Sequence, residues 1–318
     1  MSAYGIHHVT AVAGPARRNV EFYTRTLGLR LVKKTVNFDD PGTYHLYFGD
    51  ETGAPGTIIT FFPWENVAPG RVGIGETEET LFRVPEASIG YWTHRFVEKG
   101  VAHDRPVKRF GETVLSFRDP DGMRLAIAGV PGADSEKAWS NGEVVPVEHA
   151  IRGFHGVNLL LEKAAPTAAI LTDVLGFTEI GREGSLIRLK AGDTEIGGIV
   201  DLHEAGGFLP GRMGGGSVHH IAFRAKDDAA QAEMVRKLSE SHGVHTTEQK
   251  DRNYFRSVYF REPGGVLFEI ATDVPGFAAD EPVASLGEAL KLPRFLEPHR
   301  GEIEKVLPEL AEAIVPNA

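Results

Sequence analysis

Gly5-Ile6-His7-His8-Val9 and Gly153-Phe154-His155-Gly156-Val157 are one short apolar strand written twice, 148 positions apart. The same offset relates Leu27-Gly28-Leu29 to Leu175-Gly176-Phe177. An offset of 143 relates Arg118-Asp119-Pro120-Asp121-Gly122 to Arg261-Glu262-Pro263-Gly264-Gly265, and Gly100-Val101 to Gly243-Val244. Self-similarity at fixed spacing means two copies of one supersecondary pattern, here with a few residues lost between anchors. A length of 318 residues fits two domains of ordinary size, each able to bury a core.

Each half divides again. Ile6 to Val12 reads as a strand, and Pro15 then opens a helix that runs through Val20, Phe22, Tyr23 and Leu27 at helical spacing and stops at Gly28. Short β-rich runs follow at Leu29–Thr35, Tyr44–Phe48 and Thr57–Phe62, separated by the turn signals Asp40-Pro41-Gly42 and Gly53-Ala54-Pro55-Gly56. Similar units begin near Thr80, Phe154 and Val218. The expected class is α+β, with four β-α-β-β-β units in two tandem domains. These are an N-terminal domain over 1–135 and a C-terminal domain over 153–280, joined by a linker at 136–152 rich in turn residues such as Asn141-Gly142. Residues 281–318, with apolar positions from Leu286 to Ile314, form a helical tail packed over a domain.

Composition narrows the functional classes. Hydrophobic residues make up 42% and charged residues 25%, ordinary for a globular chain. The net charge of -10, with no basic cluster, argues against a nucleic-acid partner. No run of 18 apolar residues marks a membrane span, and the N-terminus lacks the basic and apolar segments of a signal peptide, so a cytoplasmic location is expected. With no cysteine, any metal has to be held by histidine, carboxylate or other oxygen ligands.

Repeated units keep scaffold residues in common, so positions where only one copy carries a metal-binding side chain are informative. His8 stands against Gly156, Glu269 against Ala126, and His220 against Glu79. Ten of the thirteen histidines, His7 and His45 among them, read as structural, although His45 could line a pocket. Strand alternation sends His7 and His8 to opposite faces, and likewise His219 and His220, so each doublet can offer one inward ligand. Glu269, inside Val266-Leu267-Phe268-Glu269-Ile270-Ala271, is costly to bury without a partner. That partner is either a metal ion or an ion pair with Arg252 or Arg256, and the histidine strand of the same unit favours metal. Tyr259 lies five residues before Gly264 and Glu269 five after it, so a symmetric hairpin sets the two opposite with side chains on one face.

With these features together, the chain resembles the vicinal-oxygen-chelate superfamily (glyoxalase, bleomycin resistance, extradiol dioxygenase), and within it ring-cleaving dioxygenases related to hydroquinone 1,2-dioxygenase. The resemblance covers nearly the whole chain. It rests on Gly5-Ile6-His7-His8-Val9-Thr10, the segment from Asp40 to Asp50, Val218-His219-His220-Ile221-Ala222-Phe223, Phe268-Glu269-Ile270-Ala271-Thr272-Asp273, and the tail from Leu292 to Glu304. It implies half-open barrels, with units one and four paired around an iron(II) ion held by His8, His220 and Glu269. Manganese(II) is the alternative ion, since these ligands do not separate the two. It further implies an extradiol-type enzyme of aromatic catabolism, which opens a hydroquinone- or catechol-type ring with dioxygen. Tyr259, Arg252, His219 and Thr10 would support the chemistry around the ion, His219 against its strand parity. Partners are then a small aromatic substrate and dioxygen, with a homo-oligomer left open.

Two other readings share the fold. A glyoxalase-type isomerase takes four protein ligands, and Thr57-Ile58-Ile59-Thr60-Phe61-Phe62 offers no carboxylate. A non-catalytic protein binding an aromatic ligand has no need of the His/His/Glu set.

Overall fold

The computed structural model describes residues 5–140, 142–192 and 194–310. Unit one consists of β1 (Ile6–Ala13), α1 (Ala16–Glu21), β2 (Arg30–Asn37), β3 (Asp40–Gly49) and β4 (Ile58–Pro63). Unit two consists of β5 (Glu76–Pro85), α2 (Ile89–Lys99), β6 (Val107–Arg109), β7 (Glu112–Arg118) and β8 (Arg124–Val130). Unit three consists of β9 (Gly153–Leu161), α3 (Ala164–Asp173), β10 (Phe177–Glu183), β11 (Leu186–Ala191) and β12 (Ile199–Glu204). Unit four consists of β13 (Val218–Ala225), α4 (Asp228–His242), β14 (Lys250–Asp251), β15 (Arg256–Arg261) and β16 (Leu267–Thr272).

Local chemistry sets these boundaries. Pro15 caps α1, which continues as a π-helical turn over Phe22–Thr26 and ends before Gly28 at φ +73°. A Cβ on Gly28 would lie 2.6 Å from Val145 Cγ2, so both conformation and space call for glycine there. The Asp227 carboxylate accepts the Ala230 N–H at the start of α4, and Gly243 closes that helix in the left-handed conformation. One boundary differs from expectation. The β2–β3 hairpin reverses at Phe38-Asp39, where Asn37 Oδ1 accepts the Asp39 N–H at 3.0 Å, and Asp40-Pro41-Gly42 already lies in β3.

The units pair across the two halves of the sequence. One eight-stranded sheet has the order β14-β15-β16-β13-β1-β4-β3-β2, uniting units four and one. The other has the order β10-β11-β12-β9-β5-β8-β7-β6, uniting units three and two. Within each unit the first and last strands pair in parallel, as β1 does with β4 and β13 with β16, because a helix and two strands intervene. The junction strands β1 and β9 are buried along their whole length and so read as nearly continuous apolar runs. Because each sheet takes one unit from each half, we propose residues 136–152 as a link between sequence repeats rather than between separate folding units.

The repeated hairpin turn ties the sheets together. Asp119 accepts the N–H groups of Asp121 and Met123 at 2.9 and 2.8 Å, and the Tyr23 hydroxyl from unit one at 3.1 Å. Its counterpart Glu262 accepts the N–H groups of Gly264 and Val266, both at 2.8 Å, and the Thr167 hydroxyl from unit three at 2.6 Å. The tail contributes short 3-10 turns and α5 (Arg300–Val306). It covers the β2 edge, with Leu292, Leu296 and Ile303 packed around Val36 and the fully buried Lys33 held by Asp280 and Glu281 at 2.6 and 2.5 Å. Asn141 and Ile314 lie outside the described residues. No helix among those described is long and apolar enough to cross a membrane.

Burial pushes the Asp119 carboxyl up to about 6, so the folded state holds its proton more tightly than the unfolded chain does. The stability linked to this proton is fully present below about pH 4 and is lost as pH rises to about 6. Asp119→Asn, which cannot ionise, should therefore gain relative to the wild type across that interval and show a constant difference above pH 7. Urea unfolding of both proteins from pH 4 to 8 checks this; a difference that does not change with pH contradicts it.

Candidate metal centre

The β1–β13 junction builds the site. Thr10 pairs with His220 and His8 with Ala222, while Ala222 also pairs with Glu269 on β16. His8, Ala222 and Glu269 thus form one row across three strands, about 10 Å from end to end at ordinary strand spacing. The small central alanine leaves room above it. Into that room point His8 Nε2, His220 Nε2 and Glu269 Oε2, with the carboxylate oxygen 3.4 Å from His8 and 2.9 Å from His220. One ligand atom from each of the three residues lies within 4.8 Å of the others. Glu269 is 0% exposed, and both histidines are buried.

Two hydrogen bonds of unusual type hold the imidazoles. His7 Nδ1 lies 2.9 Å from His8 Nδ1, and His219 Nδ1 lies 2.8 Å from His220 Nδ1. Strict strand alternation forbids such contacts, but the register shows why they form. Ile6 pairs with Phe223 and His8 with Ala222, so His7 is an extra bulged residue; Thr10 pairs with His220 and Ala11 with Val218, so His219 is another. The parity expectation for His219 is therefore corrected: the bulge turns it into the cavity wall. With Nδ1 of His8 and of His220 occupied, Nε2 of each is left to face Glu269, the kind of arrangement in which a neighbour fixes the tautomer of a metal-binding histidine. His7 is in turn hydrogen-bonded to the backbone of Thr272.

The charge state suits a cation. Burial opposes ionisation of Glu269, but the imidazoles of His8 and His220 outweigh it and hold the carboxyl well below its ordinary range. Burial lowers His220, and burial with the neighbouring His220 ring pushes His219 down to about 4. Glu269 Oε1 accepts the Ser257 hydroxyl, whereas Oε2 is buried with no partner in hydrogen-bonding geometry despite its nearness to both rings. A carboxylate oxygen left in this way between two imidazole nitrogens is what a divalent ion would satisfy. The ion-pair alternative does not form, since Arg252 reaches Tyr259 and Asp39 while Arg256 reaches Asp228.

Tyr259 pairs with Glu269, the register the hairpin count requires, and its hydroxyl accepts from Arg252 Nε at 3.3 Å. Thr10 shares the inner face with His8, and its buried hydroxyl has no partner among the described residues. A cavity of about 270 Å³ opens above the ligand atoms, walled by Phe38, Phe62, Trp64 and Phe255 and reached by His45, Tyr47 and Arg252. Reading the sequence alone missed Ser257, the His7 contact and the His45–Tyr47 pair. It also passed over Ala222, although its repeat counterpart at an offset of 141 is Leu81, a signal that the sequence carries.

The second barrel shows what the same positions do without ligands. There the row is Gly156, Leu81 and Ala126. A Cβ on Gly156 would lie 2.1 Å from the Ile199 carbonyl oxygen, so no histidine fits, and Leu81 occupies the room left open by Ala222. Glu79, in the place of His220, is held by Ser116 at 2.6 Å and Arg109 at 2.7 Å.

The glyoxalase/bleomycin resistance protein/dioxygenase superfamily model matches residues 5–127 and 153–270. The chain is 48% identical over 307 residues, 95% of each sequence, to the Bacillus subtilis (strain 168) protein named "Putative ring-cleaving dioxygenase MhqO". It is 32% identical over 308 residues, again 95% of each, to the chlorohydroquinone/hydroquinone 1,2-dioxygenase of Sphingobium indicum. Among solved structures, that of a Bacillus subtilis protein named "putative dioxygenase" superposes with a TM-score of 0.93 at 45% identity, covering 99% of both chains.

The protein should bind one divalent ion per chain. His8→Ala, His220→Ala and Glu269→Ala should each weaken that binding by roughly a hundredfold or more, since each removes a whole ligand where disturbing a ligand's support alone costs 10–100-fold. Metal analysis after dialysis decides it: a variant with full metal content removes its residue from the site, and a second ion per chain would overturn the reading of the other barrel.

Proposed function

Because the chain belongs to the glyoxalase/bleomycin resistance protein/dioxygenase superfamily, we propose that it is an iron(II)-dependent ring-cleaving dioxygenase acting on a hydroquinone- or catechol-type ring. The observation that carries this reading is the convergence of two imidazoles and one carboxylate beneath an apolar cavity of single-ring size. Two histidines and a carboxylate with open positions form the donor set of non-haem iron oxygenases, and manganese(II) is the alternative ion. When bound, the ion would supply a Lewis acid for a phenolate oxygen and the redox chemistry that dioxygen requires. The relationship to a hydroquinone 1,2-dioxygenase supports the substrate class.

The chain's own residues then have distinct tasks. Phe38, Phe62, Trp64 and Phe255 stack against a ring and exclude water. Arg252 Nε–H donates into the Tyr259 oxygen, and the Tyr259 O–H can turn from its Ser257 contact to donate to a substrate oxygen as negative charge develops. Burial, with the Glu269 carboxylate close by, pushes the Tyr259 phenol up, so it stays a donor. His219 stands in the wall between Phe62 and His220, and Thr10 offers its unpartnered hydroxyl beside His8. We place cleavage, of extradiol type, beside a hydroxylated carbon, since a para-diol has no adjacent pair of hydroxyls to cleave between.

The isomerase reading is disfavoured by the inner face of β4, where Ile58, Thr60 and Phe62 offer no carboxylate as a fourth ligand. The expected result is oxygen uptake by the iron(II)-loaded protein with hydroquinone or a catechol, giving a ring-opened product that carries both oxygen atoms. Isomerisation of a thiol hemiacetal without oxygen uptake for any phenol would favour the glyoxalase chemistry instead. Tyr259→Phe should keep its metal and lose roughly ten- to a thousandfold in turnover; iron content and turnover both unchanged would leave the tyrosine a packing residue.

A further inference from the structure

The wall of the cavity away from the ligand triad carries a hydrogen-bonded array that the proposed chemistry leaves unused. Tyr47 Oη lies 2.8 Å from His45 Nδ1, and His45 Nε2 meets Thr60 Oγ1 in a short contact. Both Tyr47 and His45 line the cavity. His45 is sandwiched between the Tyr47 ring at 4.1 Å and the Phe62 ring at 4.3 Å, which fixes its orientation. The array stands on β4 and β3, so Tyr47 is two strands from His8, about 10 Å along the curled sheet. The rings of His219, Phe62, His45 and Tyr47 follow one another around the wall from the ligand end to this point.

The array can run in either direction. With Tyr47 O–H donating to Nδ1 and Nε2–H donating to Thr60, the Tyr47 oxygen keeps lone pairs for an incoming hydroxyl. With Thr60 O–H donating to Nε2 and Nδ1–H donating to Tyr47, the Tyr47 O–H turns outward as a donor. Burial lowers His45 and raises Tyr47, so both are neutral and the array recognises a neutral oxygen rather than a charge. In the second barrel the places of Tyr47 and Thr60 are taken by Arg188 and Asp201, locked to each other through two contacts of 2.8 Å. Only the first barrel keeps this position uncharged and reversible.

We propose that Tyr47, positioned by His45 and Thr60, binds the second hydroxyl of a para-diphenol and so selects 1,4-diols over phenols lacking that group. This rests on the ring-cleaving reading for the end of the ring held at the triad. A 1,2-diol, with both oxygens at the triad, would leave Tyr47 nothing to bond.

Equilibrium binding of hydroquinone and of 4-methylphenol, which replaces the second hydroxyl by a methyl group of similar size, tests the proposal without turnover. It is measured anaerobically on wild type and Tyr47→Phe, both iron(II)-loaded. The wild type should favour hydroquinone by roughly tenfold, about what one neutral hydrogen bond contributes. In Tyr47→Phe that preference should collapse to near one while 4-methylphenol binds as before, which also certifies an intact pocket. No preference in the wild type, no measurable hydroquinone binding, or a preference unchanged in Tyr47→Phe overturns the proposal. Oxygen uptake on the same preparations reports the ring-cleaving reading separately.

Discussion

A carboxylate with no exposed surface, in the middle of a β-strand, has to be compensated within a few ångströms, and the inner face of the first barrel is arranged around that requirement of Glu269. Two imidazoles stand against one oxygen and a serine hydroxyl against the other. The adjoining strands then supply what those groups need: an alanine that leaves room, and a bulged histidine behind each ligand ring. A buried carboxylate with one oxygen left without a hydrogen bond between two imidazole nitrogens is poor in partners, which makes the same arrangement receptive to a cation.

Comparison of the barrels gives this argument an internal control, since both descend from one strand pattern. The junction β5–β9 has bulges at Glu78 and His155, in the places of His219 and His7. Its backbone is therefore prepared for the same constellation, and the side chains decide otherwise. Arg188 joins Asp201 and Glu112, and Glu112 also meets His155 at 3.0 Å. Opposite charges close on one another there, with Arg188 bridging two carboxylates. The difference between an open His/His/Glu cluster and a salt-bridged core lies in a few residues on shared scaffolding.

Much of this was legible in the sequence because the repeat made each unit a reference for its twin. The substitutions of His8 by Gly156, His220 by Glu79 and Glu269 by Ala126 pick out three side chains whose donor atoms converge in the structure. The Tyr259–Glu269 register follows from counting along a hairpin. What escaped was whatever breaks a simple period. A bulge adds one residue to a strand and reverses the parity of everything beyond it, and no single-sequence pattern announces it, so His219 was placed on the wrong face. Asp40-Pro41-Gly42 has turn composition, yet the reversal falls two residues earlier because Asn37 caps it. The Tyr47–His45–Thr60 array joins residues on two strands whose pairing had first to be known.

The order of units in the sheets is nested, with units two and three lying between units one and four along the chain. During synthesis the inner barrel has all its strands once β12 has emerged, whereas the outer one waits for β16. His8 and Glu269 are 261 positions apart, so the outer barrel closes over a much longer loop. An incomplete chain thus carries His8 without the carboxylate that it faces in the finished barrel. The topology itself leaves the His8, His220 and Glu269 cluster incomplete until almost the last strand, so a truncated or stalled product lacks the full set of groups that the proposed metal would need.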